Sequence, residues 1–167
     1  MNANHTAQIA ETIETGMTES DREGAIAVLA EALSNQHVLY LKTRNFHWNL
    51  KGARFNSLHG FFEEQYGKLE IAIDATAERI RMLGGVAPGS MAEFLGGATL
   101  TESPGAIISG EEAVAALLKD HNAIIRDLRK QIPRCETDFN DVGTADFLTA
   151  QLQAHEEVAW MLRSLLE

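Results

Sequence analysis

The chain has 167 residues, 45% hydrophobic and 23% charged, with a formal net charge of −10. Its length fits one compact domain with a sizeable core, and its acidity suits cations better than the phosphates of nucleic acid. Its single cysteine, Cys135, excludes an internal disulfide and favours a reducing compartment. We interpret Cys135 as an ordinary thiol, buried or on the surface.

The first twenty residues are polar, and we predict that residues 1–20 form a flexible tail and that residues 21–167 form the folded domain. Between Asn2 and Glu23 the chain carries five acidic residues and one basic residue, Arg22. Neither end is a basic arm, which argues against tight DNA binding. There is no signal-peptide pattern and no apolar run of roughly 18 residues. We therefore expect a cytoplasmic protein with no membrane partner.

The first half of the chain predicts two long helices. Ser20 and Glu23 fit a capping box, and apolar residues follow at helical spacing up to Phe46, with an end near Lys51-Gly52. Asn56 is the predicted N-cap of the second helix, which ends at Gly84-Gly85.

A long connection follows from Val86 to Ser109, with a short helix predicted at 91–95. The third helix begins near Ser109, with acids in its first turn, and is expected to end before Pro133. The fourth begins near Thr144. No alternating strand pattern is present, so the prediction is an all-α fold: a four-helix bundle with one long crossover that contains a short helix.

Four possible metal ligands occupy one side of the second helix. At about 100° per residue, they lie within roughly 100° of one another; they are His59, Glu63, Asp74 and Glu78. Apolar residues lie close to the same side. Acids and histidine among apolar neighbours are costly to bury unless they are paired or bind metal.

One chain cannot bring all four ligands to one ion, because His59 and Asp74 are roughly 22 Å apart along the helix. Two half-sites result, His59 with Glu63 and Asp74 with Glu78. A second copy, antiparallel about a two-fold axis near residues 68–69, would complete both. His47 can join His59 across the helix hairpin. Imidazole with carboxylate suits iron, manganese or zinc.

Each candidate ligand, taken singly, also has an explanation that needs no metal. A lone histidine on a helix is usually a surface or satisfied core residue, and an Asp-x-x-x-Glu pair is usually solvated or salt-bridged, here to Arg79. The conjunction on one face favours the metal hypothesis.

The segment around these residues resembles the Dps proteins, the mini-ferritins, over roughly residues 25–166. The matching elements are His47-Trp48-Asn49, Lys51-Gly52, Phe55, Leu58-His59, Phe62, Tyr66, Asp74, Ala77-Glu78-Arg79-Ile80, Leu83-Gly84, His155-Glu156 and Trp160-Met161-Leu162. The resemblance implies a ferritin-like bundle assembled as a twelve-chain shell from two-fold dimers. It implies an enzyme, a ferroxidase that oxidises Fe(II), with hydrogen peroxide preferred over dioxygen, stores ferric mineral and protects the cell from oxidative damage.

The resemblance also implies residue roles. The iron ligands carry over to His47, His59, Glu63, Asp74 and Glu78, with two irons per site and zinc or manganese as substitutes. Glu63 stands where the family usually has aspartate. Trp48 resembles a tryptophan that takes up oxidising equivalents, and an apolar plug at a dimer interface is the alternative. Asp141 and Asp146 resemble pore-lining acids, and acids at a helix N-terminus are the alternative.

Two other functions remain open from the sequence. Many Dps proteins bind DNA through a lysine-rich tail, and this tail has no lysine, so weak or absent DNA binding is expected. The alternative is a nucleoid-associated, DNA-protecting protein with secondary iron chemistry. A purely structural helical oligomer would require five ligands to coincide by accident.

Overall fold

The computed structural model describes residues 9–11, 13–105 and 107–167. Its helices follow in this order: α1 (Glu19–Asn49), α2 (Phe55–Met82), α3 (Met91–Gly97), α4 (Gly110–Thr137) and α5 (Val142–Ser164). The closest packing joins α1 with α2 and α4 with α5. The predicted four-helix bundle, with one long crossover containing a short helix, is confirmed.

All four long helices contribute to one hydrophobic core. Leu29, Phe62, Leu117 and Leu148 come from α1, α2, α4 and α5 in turn, and each is at most 2% exposed. Burying one such side chain stabilises the fold by about 1.5–3 kcal/mol. The core therefore fixes the relative positions of the helices that carry the candidate ligands.

The first helix begins one residue before the predicted N-cap. Thr18, not Ser20, caps α1: its Oγ1 accepts a hydrogen bond from the Asp21 amide at 3.1 Å, and the Asp21 carboxylate accepts one from the Thr18 amide. Both Thr18 and Ser20 start a capping-box pattern in the sequence. The earlier pattern caps the helix in the structure.

The second helix has no side-chain cap, so the prediction for Asn56 is wrong. A turn leads into α2, in which Gly52 adopts a φ of 116° and its carbonyl accepts a hydrogen bond from the Phe55 amide at 3.0 Å. The predicted end is confirmed: Gly84 has a φ of 79°, and the Gly85 amide donates to the Ile80 carbonyl at 3.0 Å. Glycine takes this left-handed conformation without a steric cost.

Two short strands modify the expectation of a sheet-free fold. β1 (Leu50–Lys51) follows α1, β2 (Ile108–Ser109) precedes α4, and they pair in parallel. Each has only two residues, too short for an alternating pattern. The pair fastens the end of the crossover to the turn between α1 and α2.

The boundaries of α4 and α5 differ from the prediction. α4 continues through Pro133 to Thr137. The proline removes one backbone donor, but it is exposed, and the turn beyond it still buries Cys135. Burial of that turn offsets the lost hydrogen bond. α5 begins at Val142, with Asp141 as its N-cap. Burial raises the pKa of the Cys135 thiol to about 11, so the interpretation of Cys135 as an ordinary thiol holds.

Part of the predicted flexible tail is anchored to the bundle. Ile9 forms a bridge with Gly85, and the Ala10 amide donates to the Gly84 carbonyl at 2.8 Å. Glu11 forms an ion pair with Arg81. Residues 1–8 and 12 lie outside the described residues. Among the described helices, none is both long and apolar enough to cross a bilayer.

Candidate metal centre

The α1–α2 hairpin brings His47 and His59 together. His47 lies in the last turn of α1 and His59 in the second turn of α2, and their rings stack with centroids 3.7 Å apart. The turn between the helices is only five residues long, from Leu50 to Arg54. Residues twelve apart in the sequence are thus neighbours in space.

Reciprocal hydrogen bonds fix the orientation of both rings. The Nδ1 atom of His47 lies 2.8 Å from the carbonyl oxygen of His59, and the Nδ1 atom of His59 lies 2.9 Å from the carbonyl oxygen of His47. Because a carbonyl only accepts, each Nδ1 carries the proton. In the neutral rings, each Nε2 therefore keeps its lone pair, the form in which imidazole binds a metal.

Glu63 supplies a carboxylate one turn beyond His59. It is exposed, and its Oε1 accepts a long hydrogen bond of 3.4 Å from the Tyr66 hydroxyl. Partial desolvation and the Glu63 carboxylate raise the pKa of Tyr66, so the phenol stays protonated and can donate. The Tyr66 ring also contacts the His47 ring edge-on, with centroids 5.3 Å apart.

Asp74 and Glu78 lie on the same unbroken helix, and both are exposed. At 1.5 Å per residue, their positions on α2 leave Asp74 roughly 22 Å and Glu78 roughly 28 Å from His59. Within the described part of the chain, no group of three or more histidine, cysteine, aspartate or glutamate side chains could hold a metal ion. One chain thus presents two separate groups of candidate ligands.

Trp48 is next to His47 in sequence and 59% exposed. The Arg44 guanidinium lies over its ring at 5.0 Å, and over the rings of Tyr66 and Tyr40 at 5.2 and 5.4 Å. Arg44 also donates a hydrogen bond to the Tyr40 hydroxyl at 2.7 Å. Sequence reasoning gave Arg44 and Tyr66 no role at the site, although their spacing of three residues from His47 and Glu63 places them on the adjacent helical turn.

The two pore candidates are in different environments. Asp141 is 5% exposed, caps α5 through the Thr144 amide at 2.9 Å, and forms an ion pair with Arg79 at 3.0 Å. Asp141 therefore is a helix N-terminal acid, as the alternative from the sequence has it, and its pore-lining role stays a prediction. Its pairing with Arg79 also leaves Glu78 without that salt bridge. Asp146 is exposed.

Comparison with known proteins agrees with this architecture. The ferritin-like domain family matches residues 26–167, nearly the whole chain. The fold and the arrangement of ligand types therefore define the chain as a ferritin-like protein.

Individual relatives identify the family within the ferritin-like class. The chain is 47% identical over 155 residues to the low temperature-induced protein all0458 of Nostoc sp., covering 93% of this chain and 87% of that one. It is 35% identical to DNA protection during starvation protein 2 of Bacillus anthracis, over 84% of this chain and 95% of the relative. The crystal structure of a Dps protein from Bacillus brevis superposes with a TM-score of 0.85 at 33% identity, covering 90% of this chain and all of that one. The chain belongs to the Dps family of ferritin-like proteins.

Proposed function

We propose that this chain is a subunit of an iron-oxidising and iron-storing shell whose ferroxidase sites are shared between two copies. His47, His59 and Glu63 of one copy, with Asp74 and Glu78 of its mate, would bind iron as substrate. Two histidines and one carboxylate form a ligand set typical of non-haem Fe(II) sites. The observation that carries the proposal is the reciprocal Nδ1 bonding of His47 and His59, which leaves both Nε2 lone pairs available.

The surface of α2 supports the shared site. Ile71, Asp74, Glu78 and Met82 follow one another at helical spacing, and Ile71 and Met82 are 73% and 61% exposed. Large exposed apolar side chains on both sides of the two carboxylates favour coverage by another surface. Gly67 continues the same row, and a Cβ atom there would meet nothing within 4 Å. A second α2 could therefore approach closely near residues 68–69.

The chemistry follows from the ligand types. Carboxylates favour Fe(III), the harder ion, over Fe(II), so they promote oxidation. Two ferrous ions would give two electrons to one hydrogen peroxide molecule, which takes up two protons and leaves as two waters. Consuming both electrons together avoids releasing hydroxyl radical. The ferric product would be stored as mineral inside a dodecamer of two-fold dimers, in the cytoplasm, and Zn or Mn would compete for the ligands.

Subunit mixing tests the shared site. His59→Ala and Asp74→Ala should each abolish rapid Fe(II) oxidation. In a mixed dimer, one site carries both substitutions and the other carries neither. Random 1:1 mixing should therefore restore about a quarter of the wild-type rate. No recovery in mixed shells of confirmed composition would reject sharing, since sites built within one chain cannot complement each other.

Two further measurements address the oxidant and the number of chains in the assembly. Fe(II) oxidation followed by absorbance should be faster with peroxide than with dioxygen alone. The mass of the native particle should equal twelve chains. A dioxygen-only reaction would remove the peroxide part of the proposal and leave the iron site intact.

DNA protection is the second candidate function, and the name of the Bacillus anthracis relative favours it. The net charge of −10 opposes it. We expect no gel shift of duplex DNA at neutral pH and physiological salt without added divalent metal. Tight binding under those conditions would make DNA protection the better supported of the two functions.

A further inference from the structure

A layer of buried polar side chains crosses the middle of the bundle, away from the proposed iron ligands. Gln36 on α1 donates through Nε2 to Gln151 Oε1 on α5 at 2.8 Å, and Gln151 donates to Thr76 Oγ1 on α2 at 2.9 Å. His121 on α4 and His155 on α5 share a hydrogen bond between their Nδ1 atoms at 2.9 Å. All four long helices thus contribute polar groups to the core.

Two atoms of this layer have no hydrogen-bond partner among the described residues. They are the Gln36 Oε1 acceptor and the Gln65 Nε2 donor, on side chains only 2% and 3% exposed. Leaving a buried polar group unsatisfied destabilises the folded state. An apolar residue at either position would avoid that cost, so the pair of unsatisfied amides points to a guest molecule.

Both glutamines line a pocket of about 80 Å³ between α2 and α5. His121, His155 and Gln151 line it too, and Lys68 and Glu157 lie at its exposed end. A water needs roughly 10–15 Å³ by the same measure, so the pocket has room for a molecule with two oxygen atoms. The exposed end gives it access from solvent.

The lining defines the chemistry of the guest. The guest must accept a hydrogen bond from Gln65 and donate one to Gln36, so it needs both functions. Burial keeps both histidines neutral by lowering the pKa of His155 to about 4 and the pKa of His121 well below its ordinary value. The buried part of the lining carries no charged side chain, which favours a neutral guest because an unpaired charge is costly to bury.

We infer that the α2–α5 pocket is a binding site for hydrogen peroxide, with water as its resting occupant. This inference rests on the proposed function, in which peroxide is the oxidant. Peroxide is neutral, both donates and accepts, and fits the volume. Gln65 lies one residue before Tyr66 on α2, so the pocket would hold oxidant across one helix from the first group of iron ligands.

Crystals of the iron-free shell test the site without any iron chemistry. After a peroxide soak, wild-type protein should show a two-oxygen feature within hydrogen-bond distance of Gln36 Oε1 and Gln65 Nε2, and water should occupy the pocket before the soak. Gln65→Leu should lose the feature, and Gln153→Leu, on the exposed surface of α5, should keep it. A dry pocket, or water alone after the soak, overturns the inference.

Kinetics test whether the pocket supplies the reaction. Gln65→Leu should raise the KM for peroxide about tenfold, whereas Gln153→Leu should leave it unchanged. Ala72→Met fills the pocket and keeps both glutamine amides, and it should also raise the KM for peroxide. The same change in two different variants would not be explained by misfolding of Gln65→Leu. An unchanged KM in both variants overturns the supply role. If wild-type protein fails to oxidise Fe(II) with peroxide, the peroxide part of the proposed function fails, and the iron-free soak still tests whether the pocket binds peroxide.

Discussion

Two histidine pairs in this chain use the same atom in opposite ways. In the His47–His59 pair, each Nδ1 donates to the other residue's carbonyl, so the lone pairs remain on Nε2. In the His121–His155 pair, the two Nδ1 atoms bond to each other inside the core. The first pair has a carboxylate, Glu63, one turn away.

The comparison teaches that the partner of Nδ1, and not burial, distinguishes the proposed ligand pair from the core pair. His47 is 7% exposed and His155 is 6% exposed, nearly the same. Backbone carbonyls hold the rings of the first pair through Nδ1, as the proposed ligand role of Nε2 requires. The second pair is engaged in its own Nδ1–Nδ1 hydrogen bond, and among the described residues no further histidine, cysteine, aspartate or glutamate joins it in a group that could hold a metal ion.

The largest expected effect comes from removing both Nε2 atoms of the first pair. Asparagine places its amide donor where Nδ1 was, so His47→Asn with His59→Asn keeps both carbonyl bonds and loses both ligands. We expect the rapid phase of Fe(II) oxidation to disappear while native mass shows intact shells. His37→Asn is a matched control, because His37 also bonds the carbonyl of Leu33 through Nδ1 on α1. Rapid oxidation in the double variant would mean that the pair does not bind iron.

The second pair should make the fold sensitive to acid. His155 has an ordinary pKa of 6.5, which burial lowers to about 4. Between these values the unfolded chain binds a proton that the folded chain does not. The free energy of unfolding is therefore highest above pH 6.5 and falls as the pH drops towards 4, by on the order of 3 kcal/mol from this group.

Urea titrations across that range measure the effect. The control replaces both histidines, as His121→Leu with His155→Leu, which removes the titrating groups and keeps the core filled. The double variant should lose this part of the pH dependence, while ordinary carboxylates still titrate in both proteins. Identical slopes for the two proteins between pH 6.5 and 4 would show that the pair is not buried in its neutral form.

The sequence predicted the first pair and could not predict the second. His47 and His59 flank one short turn, so helix geometry alone brings them together. His121 and His155 are on different helices, and only the packing of α4 against α5 decides that their rings meet. The same limit applies to Asp141, whose ion pair with Arg79 spans 62 residues. Local competition explains the error at the start of α1, because Thr18 begins a capping-box pattern as Ser20 does and is the residue that caps the helix.

A smaller effect, on stability, should isolate the hydrogen bond that His59 Nδ1 donates, apart from the proposed ligand atom Nε2. His59→Ala removes the hydrogen bond to the His47 carbonyl and the stacked ring, and should lower the free energy of unfolding by about 1–2 kcal/mol. His59→Asn keeps the donor, so its loss should stay below about 0.5 kcal/mol. Denaturation of the iron-free protein measures both. Equal losses would show that the reciprocal carbonyl bonds do not hold the pair in place.

The smallest expected effect concerns the carboxylate that distinguishes the first pair from the second. Glu63→Asp introduces the residue that the family resemblance implies at this position and shortens the side chain by one methylene, which also breaks the long bond from Tyr66. Because the charge remains, Fe(II) oxidation should change by less than about tenfold. Glu63→Gln keeps the length and removes the charge, so stopped-flow oxidation should show a larger loss than with aspartate. If the glutamine variant were the faster of the two, length rather than charge would govern the site, and the carboxylate could not be what marks the first pair for iron.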